Sequence, residues 1–128
     1  MTNHSLLQLL LARAGRVDGP EGHWECTIEN IPVLCLTDER ADRMRLMAPV
    51  AVDGDLDAAA LAALLEANFH SALDARLALH EGILWSLFVS PLSLLSEELA
   101  ANGLKQVVTL ARNAAQGEYR SGPWHFVG

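Results

Sequence analysis

The side chains able to do chemistry in this 128-residue chain are five histidines, two cysteines and a surplus of carboxylates. Their spacing decides what they can do together. His4, His23, His70, His80 and His125 fall on different stretches, and none forms the HxxxH or HExxH spacing that sets two imidazoles on one helical face for a zinc ion. Cys26 and Cys35 are too few to hold a zinc by themselves. No GxGxxG, GxSxG or GxxxxGK segment is present to cradle a phosphate or present a nucleophile. The carboxylates stand singly at turns and at alternate strand positions, where solvation is their ordinary role. No catalytic, cofactor-binding or metal-binding set emerges, and the chain reads as a non-enzyme without a cofactor.

The elements that carry these residues follow from composition and period. Hydrophobic residues make up 51% of the chain and aromatics only 5%, so a core built mostly of Leu, Ala and Val is expected, in one domain over residues 1–128. The net charge of -7, from 16 acidic and 9 basic residues, opposes binding to nucleic acid or an anionic membrane surface. No apolar run approaches the roughly 18 residues of a membrane span. Met1 to Leu11 lacks the basic start of a secretory signal, which points to the cytoplasm.

In chain order, Asn3 to Ala14 reads as a helix ended by Gly15, with Leu6, Leu7, Leu10 and Leu11 on one side. It holds more leucines than one contact stripe requires. After the Gly- and Pro-containing linker Arg16 to Gly22, Trp24, Cys26 and Ile28 alternate with Glu25, Thr27 and Glu29, the mark of a half-buried strand. Val33 to Thr37 returns as a second strand and Arg43 to Val52 as a third. The shared register sets Trp24, Cys26, Ile28, Val33, Cys35, Met44 and Leu46 on a helix-covered face, and Leu34, Leu36 and Met47 among charges on the other. Three apolar residues clustered on an exposed face hint at a contact surface. A turn centred near Asn30 and Ile31 sets Cys26 opposite Cys35, within reach of a bond, though a reducing cytosol keeps them as two small buried thiols.

Asp57 to Ala72 follows as an alanine-rich helix with Asp55 or Asp57 as its cap. Leu61, Leu64, Leu65 and Phe69 form a stripe wide enough to sit on the sheet. Ala60, Ala63 and Ala67 form a shallower stripe that either meets a second copy of the chain or is buried in a monomer core. Asp74 to Glu81 alternates again, Glu81-Gly82 turns the chain, and Ile83 to Ser90 is apolar on both faces, which suits a strand covered twice or lying at a subunit contact through Trp85 and Leu87. Leu92 to Gln116 is helical, weakened at Asn102-Gly103. A polar tail from about residue 117 carries Trp124, Phe126 and Val127. The order α-β-β-β-α-β-β-α bounds the fold as α+β, an antiparallel twisted sheet with helices packed on it.

This order resembles the class I chaperones of bacterial type III secretion and the wider Tir-chaperone-like family. The segments that carry the likeness are the opening helix LLQLLLARAG, the meander from Trp24 to Val52, the helix AAALAALLEANF, the hairpin LALHEGILWSLFVSPL and the closing helix. What the resemblance implies is an acidic cytoplasmic homodimer that binds and shields a segment of a secreted effector without ATP, the partner adding to sheet edges and seating apolar side chains in grooves. By position it implies a dimer contact through Ala60, Ala63, Ala67, Trp85 and Leu87, and client contacts through Leu6, Leu10, Leu34, Leu36 and Met47. The tail departs from the family's pattern: it contains Trp124 and Phe126, apolar residues suited to covering a groove on the chain's own surface. A regulatory or ligand-binding domain of the same fold, with no secretion client, is the other reading.

Overall fold

The computed structural model describes residues 1–70 and 73–115. Helix α1 (Asn3–Ala14) starts at a capping box in which the Thr2 hydroxyl accepts the Ser5 N–H and the Ser5 hydroxyl returns the contact to the Thr2 backbone. It ends at Gly15, whose φ of 80° lets its N–H reach the Leu11 carbonyl. That left-handed step is open to glycine at little cost. The strands are β1 (His23–Ile28), β2 (Ile31–Asp38), β3 (Arg43–Val52), β4 (Arg76–His80) and β5 (Ile83–Ser90), with α2 (Ala58–His70) between β3 and β4 and α3 (Glu97–Ala115) last. They form one antiparallel sheet in the order β1-β2-β3-β5-β4. The architecture is the expected α+β arrangement with its α-β-β-β-α-β-β-α order.

The first hairpin turns at Glu29 and Asn30, with φ of 50° and 68°, one residue earlier than expected. Two successive positive φ values mark the turn whose twist matches that of paired strands. Pro32 therefore belongs to β2. It pairs opposite Thr27, next to the hydrogen-bonded pair that closes the hairpin, so its missing N–H falls on the side away from β1, where pairing to β3 starts only at Leu34. The shift of the turn also corrects the cysteines. Cys26 lies opposite Val33 and Cys35 opposite Trp24, and both thiols are free and buried. A register displaced by two residues keeps every side chain on its assigned face, which is why the face assignment survives the error in pairing.

The inner face of the sheet carries Trp24, Cys26, Val33, Cys35, Met44, Leu46, Leu77, Leu84 and Phe88, and these join buried residues of all three helices in one hydrophobic cluster. Helix α3 packs on β2, β3 and β5, and α1 on β1 and α3. Expected from Leu92, α3 in fact begins at Glu97 behind the Ser96 hydroxyl, which accepts the Leu99 N–H at 3.0 Å. It runs unbroken through Asn102 and Gly103. Gly103 weakens the helix intrinsically, yet a Cβ there would stand 2.7 Å from the Phe88 ring. Close packing on the sheet, rather than a break, accounts for the glycine. Before α3, the Asp42 carboxylate accepts both the N–H and the hydroxyl of Ser93 at 2.8 and 2.5 Å. These two bonds, the hydroxyl's first, hold its pKa below the ordinary aspartate value.

Candidate functional site

The outer face of the sheet is where large apolar side chains meet solvent. Strand register lays Glu25, Leu34, Met47, Leu87 and Arg76 in one row across all five strands. The three central members are apolar and the two ends are charged. Met47 is buried between its neighbours but stands outside the core cluster. Beside this row lie His23, Leu36, Arg45 and Val89 on one flank and Pro49, Trp85 and Ala78 on the other. Leu34, Leu36, Trp85 and Leu87 are half-buried and Val89 is exposed. The Trp85 indole N–H donates to the His80 carbonyl at 3.4 Å, which ties the ring to the hairpin end. A bulge at Val50, between Pro49 and Ala51, bends β3 beneath it.

Two depressions open along this face. One of about 330 Å³ is lined by Glu25, Thr27, Pro32, Leu34, Pro49 and Trp85. The other, of about 470 Å³, is lined by polar groups including Asn3, His23, Thr37, Glu39 and Arg45, with Leu36 at its wall. The first, with Pro32, Leu34, Pro49 and Trp85 beside Glu25, has the apolar lining and charged rim that accept a side chain of a protein segment. The thiols do not contribute chemistry here: burial pushes the Cys35 pKa up to about 12, with a smaller push from Cys26 beside it, and burial raises Cys26 as well. Protonated thiols are poor nucleophiles and poor metal ligands. Among the described residues, no three His, Cys, Asp or Glu side chains converge in a way that holds a metal ion.

The side chains expected to bind partners divide sharply. Leu34, Leu36, Met47, Trp85 and Leu87 share the outer face. Leu6 and Leu10 do not: both are 0% exposed, enclosed between α1, the sheet and α3. A side chain already filling the core has no surface left for a client, which corrects that assignment. The stripes of α2 are partly exchanged: Leu64 faces the core as expected, and the alanines take the monomer-core alternative. Ala60, Leu64 and Ala67 point into the core cluster and Ala63 packs partly against it, while Leu65 and Phe69 are 71% and 84% exposed. Ala60 and Ala67 therefore serve the chain's own packing.

The exchange has a local cause in Asn68, which sequence reasoning missed. Its side-chain amide donates to the Leu77 carbonyl at 2.9 Å and accepts the Leu77 N–H at 2.8 Å, pairing with the free edge of β4 as another strand would. That approach needs small residues on the neighbouring turns. Asp57 fixes the other end of α2, its carboxylate accepting the Ala60 N–H at 2.7 Å. The signal for the outward face was present in the spacing of Leu65 and Phe69, four apart and separate from Ala60, Leu64 and Ala67, while Leu61 in the same row packs partly against the core. Trp124 and Phe126 lie outside the described residues.

No family model matches the sequence, and no curated protein matches it. Solved structures do match in three dimensions. The chain is similar to one in the ExsC-ExsE complex, with a TM-score of 0.68 at 18% identity over 89% of this chain and 93% of that one. It is similar to one in the HopA1-SchA chaperone-effector complex, with a TM-score of 0.65 at 17% identity over 89% and 95%. A third likeness, again 0.65, is to the Yersinia pestis type III secretion chaperone SycH in complex with a stable fragment of YscM2, at 21% identity over 88% and 98%. This is the class I type III secretion chaperone-like fold. At such identities the agreement concerns the path of the chain, and the surface chemistry has to be read from this protein's own residues. No helix among the described residues is long and apolar enough to cross a membrane.

Proposed function

We propose that the chain is a non-enzymatic, ATP-independent export chaperone of the bacterial cytoplasm, acting as a homodimer that binds and shields a segment of a secreted effector. The observation that carries this reading is the outer sheet face, where Leu34, Leu36, Met47, Trp85 and Leu87 form a continuous apolar surface that no helix of the core cluster covers. Its charged rim and shallow depressions suit an extended protein segment better than an enclosed small ligand. The likeness in fold to the HopA1-SchA chaperone-effector complex and to the type III secretion chaperone SycH in complex with a fragment of YscM2 supports the same reading.

A second copy of the chain is proposed to pack on the Leu65 and Phe69 side of α2, with Trp85 and Leu87 contributing from β5. Leu34, Leu36 and Met47 then remain for the client. Leu87 pairs in register with Met47, so the two surfaces adjoin.

The test is a pair of neighbouring substitutions. Leu36→Asp sets a charge where a client must desolvate it, so co-purification of a bound protein from the native cell is expected to fall while the thermal melt stays close to that of the unmodified chain. Cys35→Asp, one residue away but fully buried, is expected to unfold the domain. Client recovery from the Leu36→Asp protein equal to that from the unmodified chain removes the docking role of this face, and with it the chaperone reading.

A further inference from the structure

The seam between β2 and β3 opens at one end of the sheet. Its pairing runs from Asp38 with Arg43 to Leu34 with Met47 and stops there. Continued by two residues, the same register sets Pro32 against Pro49. Each member of such a facing pair would donate an N–H to the other, and proline has none to give. The ladder therefore ends where the two rings meet, although Pro32 still lies opposite Thr27 and Pro49 opposite Trp85 on the outer neighbours. The gap is the depression of about 330 Å³, lined by Pro32, Leu34, Pro49 and Trp85, with the carboxylates of Asp18 and Glu25 beside them. Its position is written in the sequence by two prolines, and its apolar lining suits one flat aromatic side chain.

Helix α3 ends at the same end of the sheet. Gly103 passes against the Phe88 ring, the Val107 carbonyl accepts the Ser86 hydroxyl at 2.9 Å, and Arg112 pairs at 3.4 Å with Glu29 of the β1-β2 turn. The helix thus runs along the inner face beside β5 and stops at Ala115, across the end of the sheet from the depression. The sequence continues as QGEYRSGPWHFVG over residues 116–128. Extended chain covers up to ~3.3 Å per residue, so residues 116–124 span as much as ~30 Å. The way round the hairpin end takes about 10 Å for the helix layer and about 10 Å along β2 from Ile31 to Leu34. Trp124 therefore has the reach to arrive at the gap.

We infer that this gap between the prolines is the seat of the chain's own tail, with Trp124 against Pro32, Pro49 and Trp85. Trp124 is the anchor because an aromatic side chain buries more apolar area than any aliphatic one in the segment, and Trp85 offers it a ring to pack on. Charge agrees with the placement: Arg120 lies four residues before Trp124, and the rim carries Asp18 and Glu25. What the tail does there rests on the chaperone reading. It shields the Trp85 end of the outer face until a client takes its place, and a tethered segment competes at an effective concentration on the order of millimolar. Weakly apolar segments are turned away, and a client bearing an aromatic side chain of its own displaces the tail.

Two measurements on the full chain test this. The first compares nuclear magnetic resonance spectra of the unmodified protein and Trp124→Ala. The Thr27 and Leu34 amide signals and the Trp85 indole N–H signal are expected to shift, those of Asp42 and Ser93 at the far end of the sheet to stay, and Trp124→Phe to restore most of the difference. Signals around the gap that ignore Trp124→Ala overturn the inference. So do shifts that vanish on dilution to the monomer, which would assign the site to the tail of a second copy. The second measurement uses a fluorescein-labelled peptide copying residues 117–128. Trp124→Ala/Phe126→Ala, which frees the gap, is expected to bind it about tenfold more tightly than the unmodified chain, whose own tail competes. Adding Leu34→Asp to that variant is expected to abolish binding. Equal affinity of the first two proteins, binding to neither, or binding that survives Leu34→Asp overturns the inference. Neither measurement involves a client, so the tail's seat and the chaperone reading, tested by Leu36→Asp, fail separately.

Discussion

Helix α1 turns Leu6, Leu9 and Leu10 into the core, whereas α2, built of equally apolar residues, leaves Leu65 and Phe69 facing water. The difference comes from what lies opposite each helix. Helix α1 meets β1 and α3, and large side chains fill the space between helix and sheet at the spacing that such packing needs. Helix α2 flanks the edge strand β4 and comes close enough for the Asn68 amide to pair with the Leu77 backbone. Ala60, Leu64 and Ala67 fill the space beneath it, with Leu61 and Ala63 packed partly against the core. Its larger side chains Leu65 and Phe69 stand on the exposed side of the helix. Leucine content alone therefore does not mark a docking helix: α1 has more leucines and no free apolar face, and α2 has fewer but displays them.

The contrast is broken most severely from the α1 side. Leu10→Ala removes a side chain with 0% exposure and leaves a cavity that the sheet and α3 cannot close, so a loss of about 2–5 kcal/mol is expected. Chemical denaturation reads it as a lower midpoint at unchanged slope. A loss below about 1 kcal/mol would mean that α1 is loosely seated and that its leucines are free for a partner after all. Asp57→Ala has a smaller expected effect, about 1 kcal/mol, from loss of the cap on α2. Because the cap tightens the helix without touching its outer face, self-association should weaken only as far as α2 frays. Circular dichroism and sedimentation on the same sample separate the two readouts.

Element order and strand faces were legible because they rest on period. Alternation of Trp24, Cys26 and Ile28 with charged residues fixes a face whatever the turn, and a turn misplaced by one residue left the inner set intact. The clustering of Leu34, Leu36 and Met47 outside was legible for the same reason. Pairing of individual residues was not, since Cys26 and Cys35 depend on whether Glu29 and Asn30 accept positive φ, a choice that neither residue type imposes. The orientation of α2 was hidden for a different reason. Leu64 and Leu65 are adjacent, both are apolar, and only the placement of Asn68 on β4 decides which of them turns inward. Gly103 shows the opposite case, where a residue that weakens a helix in isolation is required by the approach of Phe88.

The smallest expected effect on stability is also the sharpest test of what α2 displays. Leu65 is 71% exposed, so Leu65→Asp removes almost no buried area from the monomer, and the change in folding free energy should stay within about 0.5 kcal/mol. If a second copy packs on this side of the helix, the same substitution buries a carboxylate without a cation at the contact, and the dimer should dissociate. Sedimentation at micromolar concentration is expected to show a dimer for the unmodified chain and a monomer for Leu65→Asp. Melts must be compared at a dilution where both are monomeric, because association stabilises the folded state by mass action. An unmodified chain that is already monomeric at micromolar concentration sinks the dimer. A Leu65→Asp protein that melts as badly as Leu10→Ala would mean that Leu65 lies in the core and that the outward face of α2 has been assigned to the wrong stripe.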